Sequence, residues 1–131
     1  MNKLLSLVIC MAGVTWLMIM VASLIRARGW TPKGIMVAFG NRDNMPEASP
    51  LAGRAERTAK NTLENFVLFA AIALVAQSAG MVNEQVIQGA EIFFWARLVF
   101  IPVYLAGIIY LRTAVWAVSI MGLVMMLKGM F

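Results

Sequence analysis

The stretch Leu4-Leu-Ser-Leu-Val-Ile-Cys-Met-Ala-Gly-Val-Thr-Trp-Leu-Met-Ile-Met-Val-Ala-Ser-Leu-Ile25 runs 22 residues without a formal charge and is closed by Arg26 and Arg28. About 20 apolar helical residues cross the roughly 30 Å hydrocarbon layer of a bilayer. A secretory leader has an apolar region of only about 7–15 residues, followed by a small-residue cleavage site. Neither feature fits here. Residues 4–25 are therefore expected to form a retained first membrane span.

The composition extends that reading to the whole chain. Of 131 residues, 62% are hydrophobic and 13% charged, with mean hydropathy +0.83. Soluble domains average about 45–50% apolar and about 25% charged residues. A chain this short has too little interior to hide the excess from water, which excludes a soluble globular enzyme and a disordered chain. Four crossings fit the length. The sequence contains no His, so neither an imidazole base nor a His-ligated metal site is available, and no metal is expected. Cys10, the sole cysteine, cannot form an intrachain disulfide and is read as a packing residue. Any sulfur chemistry must use a thiol brought by a ligand. The net charge of +5 does not point to nucleic acid, because the cations gather at one level of the chain rather than over a soluble face.

Beyond Ile25 the chain is polar and turn-rich over 26–49. Ser49-Pro50 then has the form of a helix start, a capping hydroxyl before a first-turn proline. A helix from Pro50 to Ala79 would be about 45 Å long against about 30 Å of hydrocarbon. Its first ten or so residues should stand among the headgroups, with the boundary near Lys60 and Glu64 about 6 Å inside it. The second span is expected at 60–79, the third at 90–111 and the fourth at 113–130, the last two divided at Leu111-Arg112-Thr113. The stretch from Arg26 through Lys60 holds seven of the 11 basic residues, and the 80–88 connection holds none. The positive-inside bias then places the first and third connections in the cytoplasm and both termini outside.

Ionisable groups inside a membrane cost about 2.5–3.5 kcal/mol each unless partnered, so they are the informative residues. Arg57, Lys60, Asn61 and Glu64 fall at i, i+3, i+4 and i+7, one stripe of a helix. Arg97 and Tyr104 are seven apart on the third span, Arg112 lies at its cytoplasmic end, and Arg26 closes the first span at the same level. Arg26 and Arg28 also suit snorkelling flanks, Glu64 and Arg97 suit mutual neutralisation, and Arg54 and Glu56 suit a solvated face. None of these explains the excess of cations over acids on one stripe. A ligand with several carboxylates does.

The segment Gly53-Arg-Ala-Glu-Arg-Thr-Ala-Lys-Asn-Thr-Leu-Glu-Asn-Phe66 resembles the second-helix signature of the MAPEG family, membrane-associated proteins in eicosanoid and glutathione metabolism. Phe94-Trp-Ala-Arg-Leu98, Tyr104 and Arg112-Thr113 resemble its third helix and the turn into the fourth, and Asn41-Arg-Asp43 is most like its small bacterial branch. The resemblance implies an all-α integral membrane protein, a four-transmembrane-helix bundle assembled as a homotrimer in a bacterial inner membrane. It implies glutathione as co-substrate, bent between subunits near the cytoplasmic side. Arg57, Lys60, Asn61 and Glu64 would hold its carboxylates and amino group, with Arg26, Tyr104 and Arg97 adding contacts and Arg112, Thr113 and Tyr104 serving the thiol. The implied activity is glutathione transfer or peroxidase chemistry on lipophilic molecules entering from the lipid. Lys60 stands where the family often has Arg, and so lacks the bidentate fork. Two other functions remain open. One is a small proton-coupled multidrug transporter using Glu64. The other is a member of the same family without catalysis.

Overall fold

The computed structural model describes residues 1–43 and 45–131. The chain forms α1 (Lys3–Ala27), α2 (Pro32–Phe39), α3 (Pro50–Ser78), α4 (Glu84–Leu105) and α5 (Ile109–Met130), and no strand occurs among the described residues. All but α2 are long and apolar enough to cross a membrane. The protein is an all-α, multi-pass integral membrane protein.

Short polar side chains set most of the helix starts by accepting from otherwise unpaired backbone N–H groups. Asn2 accepts from Leu5 N at 2.9 Å, Ser49 from Ala52 N at 3.1 Å and Asn83 from Val86 N at 3.0 Å. Thr31 does the same for Gly34 N at 2.9 Å, with Pro32 in the first turn. The stretch 26–49, expected as a polar loop, therefore contains a helix. The reversal between the last two spans also differs from expectation. It occurs at Ala106–Gly107–Ile108, where Gly107 has φ 78°, and not at 111–113, which lies inside α5. Glycine takes that left-handed conformation at no steric cost, whereas a charged residue does not by itself turn a chain.

Packing follows chain order. α1 lies against α3 and α4, α5 lies against α4 and α3, and the backbones of α1 and α5 stay more than 8 Å apart at every Cα pair among the described residues. The rings of Phe69 and Phe93 stack 4.5 Å apart at 15° in the main core, beside Leu4, Met11, Leu123 and Met126. α4 and α5 approach most closely at Gly89 and Gly122, where an added Cβ would stand 2.6 Å from the other glycine's carbonyl oxygen. Small residues at a crossing let membrane helices gain backbone-to-backbone packing. Lys3 pairs with Glu91, and Asn83 Nδ2 donates to Gly129 O at 2.6 Å, so both termini lie at the same end of the bundle as the 79–83 connection. Arg54 Nε donates to Leu105 O at 3.0 Å at the opposite end. Only 22% to 44% of each span's most apolar window is buried within the chain, so most of that surface must meet lipid or another copy.

Candidate functional site

The basic end of the bundle is built around Tyr104, in the last turn of α4. Arg57 on α3 donates from Nε to Tyr104 Oη at 3.2 Å. Arg112 in the first turn of α5 places its guanidinium carbon 4.5 Å from the centre of the same ring. Phe100, one turn earlier on α4, meets it edge-on at 5.5 Å. The turn at Gly107 is what sets Arg112 beside Tyr104, because it brings the start of α5 back against the end of α4. Asn61, Phe100, Tyr104, Arg112, Thr113 and Trp116 line a cleft of about 230 Å³.

Electrostatics in this cleft are one-sided. No side chain caps the start of α5. Its first N–H groups add the partial positive charge of a helix N-terminus to that of Arg112. A cation in the first turn opposes the helix dipole, so Arg112 does not stabilise α5 there. It raises the positive potential of the cleft instead. Asn61 Oδ1 accepts from Asn65 Nδ2 at 3.2 Å, which orients the amide. Thr113 Oγ1 donates to Ile109 O at 3.4 Å.

The other candidate residues are distributed differently. Lys60 and Glu64 are exposed on α3 and do not line the cleft. Arg26 lies across the bundle with its Nε 3.3 Å from Glu56 Oε1, bordering a separate depression of about 390 Å³ with Ser23, Arg42 and Ala59. Arg97 is fully buried. It donates from Nη2 to Thr62 Oγ1 at 3.1 Å and lies 4.1 Å over the Phe100 ring, while Nε and Nη1 have no partner among the described residues. No Arg97–Glu64 pair forms. Arg97 thus stands behind the cleft wall, touching Phe100, which in turn touches Tyr104.

Four residues take on contacts that the sequence did not assign to them. Arg54 and Glu56, read as a solvated face, bond the Leu105 carbonyl and Arg26 respectively. Phe100 and Trp116 complete the cleft. The spacing Arg97–Phe100–Tyr104 puts all three on one helical face and was the available signal for Phe100. Trp116 had a similar signal, being four residues after Arg112.

A four-span helical membrane protein with a cationic cleft at one end of its bundle is the class defined by these observations. The MAPEG family model matches residues 4–131, nearly the whole chain, and the protein belongs to the MAPEG family. Glutathione-dependent transferase and peroxidase chemistry in membranes is typical of that family. Comparison with curated proteins and with solved structures found no match.

Proposed function

We propose that the protein binds glutathione in the membrane and either transfers its thiolate to lipophilic electrophiles or, with a second glutathione as co-reductant, reduces lipophilic hydroperoxides to alcohols with formation of glutathione disulfide and water. The observation that carries this reading is the convergence of Arg57 and Arg112 on Tyr104, at a cleft that Asn61 also lines and that has no carboxylate among its described lining residues. Glutathione has two carboxylates and one ammonium. Arg57 and Lys60 suit the carboxylates, Glu64 the ammonium, and Asn61 both donates to and accepts from peptide amides.

A free thiol has a pKa near 8.5, so at pH 7 only a few per cent is thiolate. Lowering it by about two units requires roughly 2.7 kcal/mol in favour of the anion. With no His in the chain, that must come from fixed positive charge or a donated hydrogen bond. Arg112 cannot lose its proton, and at the α5 N-terminus it acts in the same direction as the helix dipole. Thr113 and Tyr104 supply hydroxyls beside it. The thiolate sulfur then attacks the electrophilic carbon, a C–S bond forms, and the leaving group departs with the bonding pair.

The reading includes a homotrimer. Arg26 and Arg112 border separate depressions of one subunit. Assembly that sets the α1 side of one copy against the cleft of the next brings Arg26 to the ligand and covers apolar surface. The cytoplasmic side is assigned to the end that carries Arg26, Arg54, Arg57 and Arg112, in line with the positive-inside bias.

The Arg112→Gln variant tests the mechanism. Glutathione affinity is expected to stay within a few-fold, while thiolate ultraviolet absorbance at neutral pH disappears. Conjugation of a lipophilic electrophile should fall about 25-fold, the ratio expected for a two-unit change in thiol pKa. A variant that still forms thiolate normally would make Arg112 a topology anchor.

A further inference from the structure

The segment between the first two spans holds a second basic site, separate from the cleft at Tyr104. Gly34 of α2 is pressed onto the end of α1, where an added Cβ would stand 1.8 Å from the Arg28 carbonyl oxygen. Thr31 fixes the same corner, donating from Oγ1 to Arg28 O at 2.9 Å while accepting from Gly34 N. Arg28 itself is held at φ 54°, a conformation unusual for a residue with a side chain. Its backbone is tied there, with Arg28 N donating to Ile25 O at 3.3 Å and Gly29 N to Leu24 O at 2.9 Å.

Inside this corner is a cavity of about 710 Å³, larger than the cleft, bordered by Arg26, Arg28, Lys33, Val37 and Met45. No carboxylate lines it among the described residues. Beside it Trp30, Met36 and Phe39 are 69%, 77% and 88% exposed. Three such side chains around cations, next to the point where a span ends, match the composition of a helix lying in the headgroup layer. The cavity therefore sits where lipid headgroups are the most concentrated anions, and of its three cations Arg26 is paired with Glu56 while Arg28 and Lys33 have no carboxylate partner among the described residues.

We propose that this cavity binds the headgroup of an anionic phospholipid. Its phosphodiester is held by Arg28 and Lys33, and its acyl chains pass among the apolar residues of α2 and the adjoining span. A zwitterionic lipid is disfavoured because its ammonium would enter a site where Arg28 and Lys33 have no carboxylate partner among the described residues. Arg26 borders this cavity and is also assigned to the proposed glutathione site, but the phosphodiester is held by Arg28 and Lys33, which lie outside that site, so their variants test the inference independently of that function.

Native mass spectrometry of the protein in mild detergent tests it, with phosphatidylglycerol and phosphatidylcholine of matched chains offered together and inorganic phosphate as a third probe. Phosphatidylglycerol should be retained about tenfold over phosphatidylcholine. The exposed double variant Arg28→Gln/Lys33→Gln should fall to parity, with helicity and glutathione affinity unchanged. Met36→Ser/Phe39→Ser should lower retention of phosphatidylglycerol while sparing helicity. Parity in the unmodified protein, or a preference that survives Arg28→Gln/Lys33→Gln, would overturn the proposal. Displacement of the lipid by equimolar inorganic phosphate would also overturn it, pointing to a free-anion site.

Discussion

Arg97 shows what a single residue position can and cannot reveal. Its place seven residues before Tyr104 put both on one face of α4, and helix geometry alone makes that legible. Its depth was not legible, because it depends on α3 presenting Thr62 and on Phe100 covering the guanidinium. A buried ion whose Nε and Nη1 have no partner among the described residues contributes little net stability, whereas removing the Thr62 hydroxyl strips the bond those residues make to Nη2. Thr62→Val should therefore cost about 1–3 kcal/mol, seen as a lower unfolding temperature in detergent. Arg97→Met should be tolerated better than Thr62→Val, since it removes the charge and keeps the volume. The reverse order of unfolding temperatures would mean that Arg97 has a further partner in the assembled protein. The resemblance pointed to Tyr104 and Arg112 together, and the structure sets them side by side, although their spacing is one residue shorter than in some relatives. Arg54 was not, since its partner is a backbone carbonyl, which no sequence pattern marks.

At the scale of elements, the signals that were read and those that were missed are of one kind. Ser49-Pro50 announced α3, and Thr31-Pro32 announces α2 in the same way, a capping hydroxyl followed by a first-turn proline. The second was outweighed by the polar composition around it. Gly107 was likewise outweighed by Arg112, although left-handed glycine ends helices and a lone cation does not. The α4–α5 crossing depends on tertiary approach and leaves no local mark. Gly122→Ala would place a methyl group 2.6 Å from the Gly89 carbonyl oxygen and 2.7 Å from Phe93 N. Both obstacles are backbone atoms, so the helices must separate, at a cost of about 1–3 kcal/mol. Gly13 has nothing within 4 Å of an added Cβ, and Gly13→Ala should leave thermal stability unchanged or slightly raised. Equal behaviour of the two variants would mean that the crossing has slack.

For the whole molecule, the sequence made the number of spans legible, because hydrocarbon thickness and residue counts leave little choice. The way the subunit closes its polar groups was not legible. One subunit leaves Lys60 and Glu64 exposed on α3 and separates Arg26 from Arg112. The proposed homotrimer would resolve both, and native mass spectrometry in mild detergent should record three copies, where a monomer would remove the shared site. A reporter fused after Phe131 should be active only outside the cytoplasm, and cytoplasmic activity would invert the assignment. Glutathione recognition is the claim on which the rest depends. Calorimetric titration of glutathione into the detergent-purified protein measures it directly. Saturable binding in the millimolar range or tighter is expected, corresponding to at least about 4 kcal/mol, and should weaken at least tenfold in Arg57→Gln. No heat of binding up to about 10 mM glutathione would contradict it.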